Sequence, residues 1–376
     1  MNVRFGVALG WLGVVLATEH WRPWSDGIRL KYATDVEEYA TIARAAPGFP
    51  AEKIQAPHAD RFPAPWLVGE LHKLTGVGIH PMFAILTALV LVATFATLHL
   101  ALVSLRTRVA TYAIVFGLVA ATPYPVRLLL DAPGMLTDAI FVLGVVVTLL
   151  GFIRGNGWLV AAGLGFAEIG RQDAVPLAVV AALAVFFTWE QRRRVLFALL
   201  AVAVPAAVYV AAHEGSSSWS DRSGRGVVGM TAGGDWSVHG TASHIGRIAI
   251  ALVLPVAVLV VARLRSGRLP LFVPLALGLT IVAEAFVLAP DWSHAEPRLA
   301  GVAIPALALA APPMLDRAGL SVRQTLLCCV GIALASLHHI YSNVGFTRSS
   351  EWAAAVLAGC VCVGVLALRR QRGVHA

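Results

Sequence analysis

The chain has 376 residues, 58% of them apolar and only 13% charged, with a mean hydropathy of +0.76, a balance that excludes an ordinary soluble globular protein. Its apolar residues come in continuous runs and not in alternation, which excludes a transmembrane β-barrel and leaves an all-α polytopic membrane protein. The formal charge of +8 does not point to nucleic acid, because the basic residues are scattered between apolar runs and build no solvated patch.

In chain order the runs predict spans near 4–19, 81–105, 109–126, 134–153, 157–170, 174–189, 195–213, 246–262, 270–289, 299–315, 325–341 and 352–368, about 12 transmembrane helices. The opening, Met1 to Ala17, has a cation at Arg4, an apolar stretch and a Val15-x-Ala17 end, the outline of a cleavable signal. With this many later spans, an uncleaved anchor is the expected reading. The fifth and sixth runs are short and separated by Arg171, Gln172 and Asp173, so they read as two short helices or as one broken element. Cys328, Cys329, Cys360 and Cys362 lie inside apolar runs and serve as small hydrophobes, with no disulfide or metal spacing.

The connections set the expected orientation, since arginine and lysine are retained on the cytoplasmic side. Arg4, Arg106 and Arg108, Arg154, Arg192 to Arg194, Arg263 to Arg268, Arg317 and Arg323, and Arg369 to Arg372 fall on every second connection, which places both termini in the cytoplasm. All acids except Glu190 and Asp316, and all histidines except His99 and His375, fall on the other side, so any chemistry is expected on the extracytoplasmic face. Three sections follow: a membrane module 1–213 containing an outer loop 20–80, a Gly- and Ser-rich outer loop 214–245, and C-terminal helices 246–376. Gly224-x-Gly226-x-x-Gly229 matches the dinucleotide fingerprint in letters only, because no strand precedes it. No internal repeat of the inverted-transporter kind is visible.

The first outer loop is too polar to span and too rich in Trp, Pro and amphipathic pattern for a slack linker, so it is expected to lie on the membrane surface. Thr34-Asp35-Val36-Glu37 reads as a capping box opening a helix to about Ala46, stopped by Pro47-Gly48. Val36, Tyr39, Ala40, Ile42, Ala43 and Ala46 form its apolar face. Asp35, Glu37 and Glu38 crowd the helix start, where acids complement the helix dipole. Docked over a cavity in the membrane, however, a poorly hydrated Asp35 is a usable general base.

Further on, Arg61 precedes the stiff stretch Phe62-Pro63-Ala64-Pro65-Trp66-Leu67 and reads either as a lipid-phosphate ligand or as a cation snorkelling to the interface. Asp131 and Asp138 flank the outer start of the fourth span, and Asp138 and Glu284 lie deep enough to need partners. Glu168, Arg171 and Asp173 cluster at the fifth-span break, and Asp291, His294, Glu296 and Arg298 form a last outer group. Each cluster fits a structural ion-pair network as well as a site. Asp35 with His58 supplies too few ligands to support a metal ion, and no cofactor is expected.

The run Asp35-Val36-Glu37-Glu38-Tyr39-Ala40-Thr41-Ile42-Ala43-Arg44 resembles the first outer-loop motif of GT-C glycosyltransferases, in particular the lipid A aminoarabinose transferases and protein O-mannosyltransferases. Val36 stands where the family often has a second acid, with Glu37 or Glu38 as substitutes. Arg61 to Leu67 is similar to the family's basic-Pro-Pro-Leu element, Asp131-Ala132-Pro133 to its second outer acid, and Gly163 to Pro176, with Arg171, to its fifth-to-sixth span stretch. The C-terminal half matches in layout only, with Glu296 and Arg298 as a late outer-loop pair.

The resemblance implies a bacterial inner-membrane enzyme that moves a sugar from a polyprenyl-phosphate donor to a glycan, lipid or protein acceptor, with inversion and Asp35 as base. It implies substrate-binding roles for Glu38, Tyr39, His58, Arg61, Asp131, Arg171, His294, Glu296 and Arg298, and membrane lipids as the other partners. Two further readings stay open: a secondary transporter of twelve helices, and a lipid-linked glycan ligase or polymerase or an acyltransferase.

Overall fold

The computed structural model describes residues 3–18, 33–122, 126–172, 174–190, 192–222, 237–288, 296–336 and 349–368. Within them the regular structure is helical apart from one pair of two-residue strands. The elements are α1 (Val3–Thr18), α2 (Ala33–Ala45), β1 (Ile54–Gln55), α3 (Ala56–Ala59), α4 (Pro63–Thr75), α5 (Ile79–Ser104), α6 (Val109–Ala121), α7 (Leu128–Asp131), α8 (Leu136–Arg154), α9 (Gly157–Gly170), α10 (Ala174–Thr188), α11 (Arg194–Ser216) and β2 (Ser220–Asp221). The remainder are α12 (Val238–Ser266), α13 (Phe272–Leu288), α14 (Glu296–Gly301), α15 (Ile304–Ala310), α16 (Pro312–Ala318), α17 (Val322–Ala335) and α18 (Ser349–Leu368).

Four of these, α5, α8, α11 and α12, are long and apolar enough to cross a membrane. Arg298–Ala310 with Pro312–Ala318 passes the same test as a pair bent by 48°, the prolines at 312 and 313 lying at the break. Shorter apolar helices of 10–17 residues occupy Val3–Thr18, Val109–Ala121, Gly157–Gly170, Ala174–Thr188, Phe272–Val287, Val322–Ala335 and Ala354–Leu366. The chain is therefore an all-α, membrane-embedded protein. The helices around the expected fifth and sixth spans are separate: α9 has 14 residues and α10 has 15, each about 21 to 23 Å long and shorter than a hydrocarbon core of about 30 Å.

The chain groups into two units that run across the order of the sections 1–213, 214–245 and 246–376. One comprises Met1–His20, Leu98–Leu128 and Gly234–Ala376. Here α6 is buried along its whole length from Thr111 to Ala121. Its Gly117 leaves room for the Trp11 indole of α1, which donates to Ala113 O at 2.8 Å. Arg127, which is fully buried, donates to Ala121 O, Thr18 Oγ1 and Ser336 Oγ. In the same unit α17 and α18 meet through Gly331 and Gly359, where either glycine's missing Cβ would press on the other's backbone.

The other unit comprises Trp21–Thr97 and Leu129–Gly233. Its centre is the antiparallel pair α8 and α9, turned tightly at Gly155, whose φ is 62°, and Asn156, which caps α9 by accepting from Trp158 N and Leu159 N. The two helices touch through glycine backbone. A Cβ on Gly144 would lie 2.3 Å from Ala167 N, and one on Gly170 would lie 2.5 Å from Phe141 N. Without side chains between them, the helices gain dispersion contacts that a lipid solvent does not otherwise reward.

The expected outer-loop helix is α2, and the apolar face read from the sequence is the buried one: Val36, Tyr39, Ala40, Ile42, Ala43 and Ala46 are all enclosed. It packs on α4, where Gly69 lets Ala43 O approach to 2.0 Å of the position a Cβ would take. On the far side of α4, Leu67 and Leu74 are exposed.

Replacing Gly163 by alanine should cost about 1–3 kcal/mol, because its Cβ would meet Thr148 N and Gly144 O, which are backbone-bound atoms unable to swing away. Thermal unfolding in detergent checks this, with Gly13→Ala as a control at a position with open space.

Candidate functional site

The site is built on α2 and on the segment that follows it. Asp35 lies in the first turn of α2 and Glu38 one turn later, so the two carboxylates share a face. Between them sits the imidazole of His58, carried by the one-turn helix α3, with 9% of the residue exposed. His58 Nδ1 is 2.5 Å from Glu38 Oε2, and His58 Nε2 is 3.6 Å from Asp35 Oδ1. The side chain of Asp35 keeps 21% of its surface, so it is neither sealed nor turned into open water.

Tyr39, fully buried beside Glu38, closes the other side. Its ring meets His58 edge-on at 5.3 Å between centroids, and its hydroxyl accepts from Arg61 Nη1 and from Thr137 Oγ1, each at 3.3 Å. Arg61 is itself only 2% exposed, so its guanidinium is enclosed and does not snorkel.

The next residue of α8 after Thr137 makes the second polar link. Asp138 Oδ1 accepts from Arg171 Nη1 at 3.2 Å, with both side chains almost wholly buried, and the guanidinium also lies over the Phe141 ring at 5.5 Å. The sequence required a partner for Asp138, and Arg171 at the end of α9 is one. Its neighbour Gln172 then donates from Nε2 to Pro57 O at 3.2 Å, immediately before His58. Asp35, Glu38, Tyr39, His58, Arg61 and Arg171 are thus joined by adjacent residues in one unit.

Sequence reasoning passed over a further cluster that fastens this segment. Asp60 accepts from Ser216 Oγ at the end of α11 and lies 3.3 Å from His213 Nδ1. Arg222 donates to His213 O at 2.6 Å and approaches His213 Nε2 at 2.8 Å. An arginine can only donate, so Nε2 is the accepting nitrogen and the proton of His213 sits on Nδ1, toward Asp60. Around this pair β1 runs parallel to β2, Lys53 Nζ donates to Ser218 O, Phe49 stacks on Trp219, and Phe62 meets both rings edge-on, at 5.6 to 5.9 Å between centroids. Asp60 and Ser216 are 156 residues apart, and neither belongs to a local motif, which is why sequence inspection passes over them.

Asp131 ends α7, but its side chain, that of Glu296 in α14, and all of His294 lie outside the described residues, as do Asp173 and Asp291. Arg298, buried in α14, belongs to the first unit. Among the described residues no group of three or more His, Cys, Asp and Glu is arranged to hold a metal ion. Comparison with protein-family models, curated proteins and solved structures finds no match to this chain.

Removing one member of the Asp138–Arg171 pair should cost more than removing both. Arg171→Met, which takes the guanidinium away from a buried carboxylate, is expected to destabilise by about 3–5 kcal/mol, whereas Asp138→Leu with Arg171→Met recovers most of that loss. Reversible unfolding in mixed micelles, compared across the two single variants and the double, measures the difference.

Proposed function

We propose that the chain is an integral-membrane glycosyltransferase of the GT-C kind that uses a polyprenyl-phosphate sugar as donor. The reading includes twelve spans, a place in the bacterial inner membrane, both termini in the cytoplasm and a site on the extracytoplasmic face. The observation that carries it is the juxtaposition of Asp35, Glu38 and His58, with Tyr39 and Arg61 enclosed beside them, on the segment between the first two apolar stretches. A partly open carboxylate with an oriented imidazole behind it is the constellation a general base needs.

In this mechanism an acceptor hydroxyl or amine, on a glycan, lipid or protein, loses its proton to Asp35 and attacks the anomeric carbon on the side opposite the phosphate. The bond from that carbon to the phosphate oxygen breaks, and its electron pair leaves with the lipid phosphate, so the configuration inverts. Cationic groups facing the phosphate stabilise the charge that develops there, typically by about 3 kcal/mol each when preorganised. Arg61 and Arg171 are the proposed source of that field, with Glu38, Tyr39, His58 and Asp131 shaping the sugar and phosphate subsites. No nucleotide sugar takes part.

A secondary transporter is the second reading, and the observation favouring it is the buried Asp138–Arg171 pair at the ends of apolar helices, since ionisable groups buried among such helices often line a transport path. Uptake into proteoliposomes without any transfer of labelled sugar supports that reading over the first. Under the glycosyltransferase reading, Asp35→Asn should lower transfer from a labelled polyprenyl-phosphate sugar by at least about 100-fold, with unchanged unfolding temperature and lipid binding. Wild-type turnover in that variant removes Asp35 from the reaction.

A further inference from the structure

We propose that His58 is the second station for the proton that Asp35 takes up, and that Glu38 holds its ring in the tautomer that makes this possible. The inference rests on the glycosyl-transfer reading for its substrate, but its structural basis is independent of it. Both nitrogens of His58 face carboxylates one helical turn apart on α2.

The two contacts are unequal, and the inequality assigns the roles. An ionised carboxylate only accepts, so the short contact to Glu38 puts a proton on Nδ1. In the neutral ring this leaves the lone pair of Nε2 pointing toward Asp35. At 3.6 Å that pair is too long for a hydrogen bond in the resting arrangement. Once Asp35 carries a proton it becomes a donor aimed at an acceptor, and a small side-chain adjustment closes the distance, as catalytic hydrogen bonds commonly tighten only during the reaction. The Tyr39 ring packed edge-on against the imidazole and the hydrogen bond from Gln172 to Pro57 O, next to His58 in the chain, keep the ring from turning away.

The proton count closes without any added reagent. The acceptor gives one proton to Asp35 as its new bond to the anomeric carbon forms and the bond from carbon to phosphate oxygen breaks. Asp35 passes that proton to His58 Nε2, producing an imidazolium whose charge is opposed by Glu38 on one side and Asp35 on the other. Asp35 is thereby restored as a carboxylate, and His58 later releases the proton to water. His58 acts through Asp35 and does not touch the reacting atoms, so it is a positioning and proton-holding residue.

The test combines kinetics with a measurement that needs no substrate. With the full chain in lipid nanodiscs, His58→Ala should lower kcat by about 100-fold, change KM less than threefold, and regain at least a tenth of the lost rate on addition of free imidazole. His58→Gln, which preserves polarity but cannot carry the proton, should be as slow and should not respond to imidazole. In parallel, nitrogen NMR of histidine-labelled protein, with the His58 signals assigned from their loss in His58→Gln, should show the neutral ring protonated at Nδ1. The Glu38→Gln variant should lose that preference. Full turnover in His58→Ala, slow turnover without imidazole rescue, or a neutral ring protonated at Nε2 each overturns the proposal. If no polyprenyl-phosphate sugar is turned over by the wild type, the glycosyl-transfer reading fails, and the spectrum alone decides whether the relay exists.

Discussion

Buried polar groups in a helical membrane protein have to find one another, and two neighbouring residues at the start of α8 show how much follows from that constraint. Thr137 reaches the hydroxyl of Tyr39 on α2, and Asp138 reaches Arg171 at the break between α9 and α10. Neither contact is large in energy, and an isolated ion pair of this kind often contributes nothing beyond its own desolvation cost. Their effect is geometric. Leaving any one of these groups without its partner would strand a buried dipole or charge, so the register of α2 against the spans of its unit is set within narrow limits.

The apolar contacts in the same unit have the complementary property of being close but undirected. Glycines at 144, 151, 163 and 170 let α8 and α9 meet backbone to backbone, and Gly69 does the same for α4 against α2. Such packing resists separation of the helices. It places no chemical group anywhere by itself, because a stripe of glycine presents neither donor nor charge. The polar links and the clamp of Asp60, Ser216, His213 and Arg222 convert this rigid support into a defined location for His58 and Arg61.

That location is chemically asymmetric. Asp35 and Glu38 carry the same ionisable group one helical turn apart and are similarly exposed, yet Glu38 binds the imidazole closely and Asp35 stands off from it. The close contact to Glu38 fixes a tautomer, and the longer one sets Asp35 apart from the ring. Proximity alone would not separate these roles; the rotamer and position of His58 do.

Much of this was legible in the residues themselves. Continuous apolar runs require helices in lipid, since every backbone group there must be satisfied within its own segment, and the 3.6-residue period of α2 singles out the face it buries, Val36 through Ala46. The need of Asp138 for a partner was equally visible, because an ionisable group inside an apolar run is costly wherever the chain goes. What local pattern cannot carry is the choice among distant partners. That His58 lies between Asp35 and Glu38, that Arg171 rather than another arginine answers Asp138, and that Asp60 meets Ser216 across 156 residues depend on how close the helices pack, and that is decided by side-chain volume summed over whole interfaces.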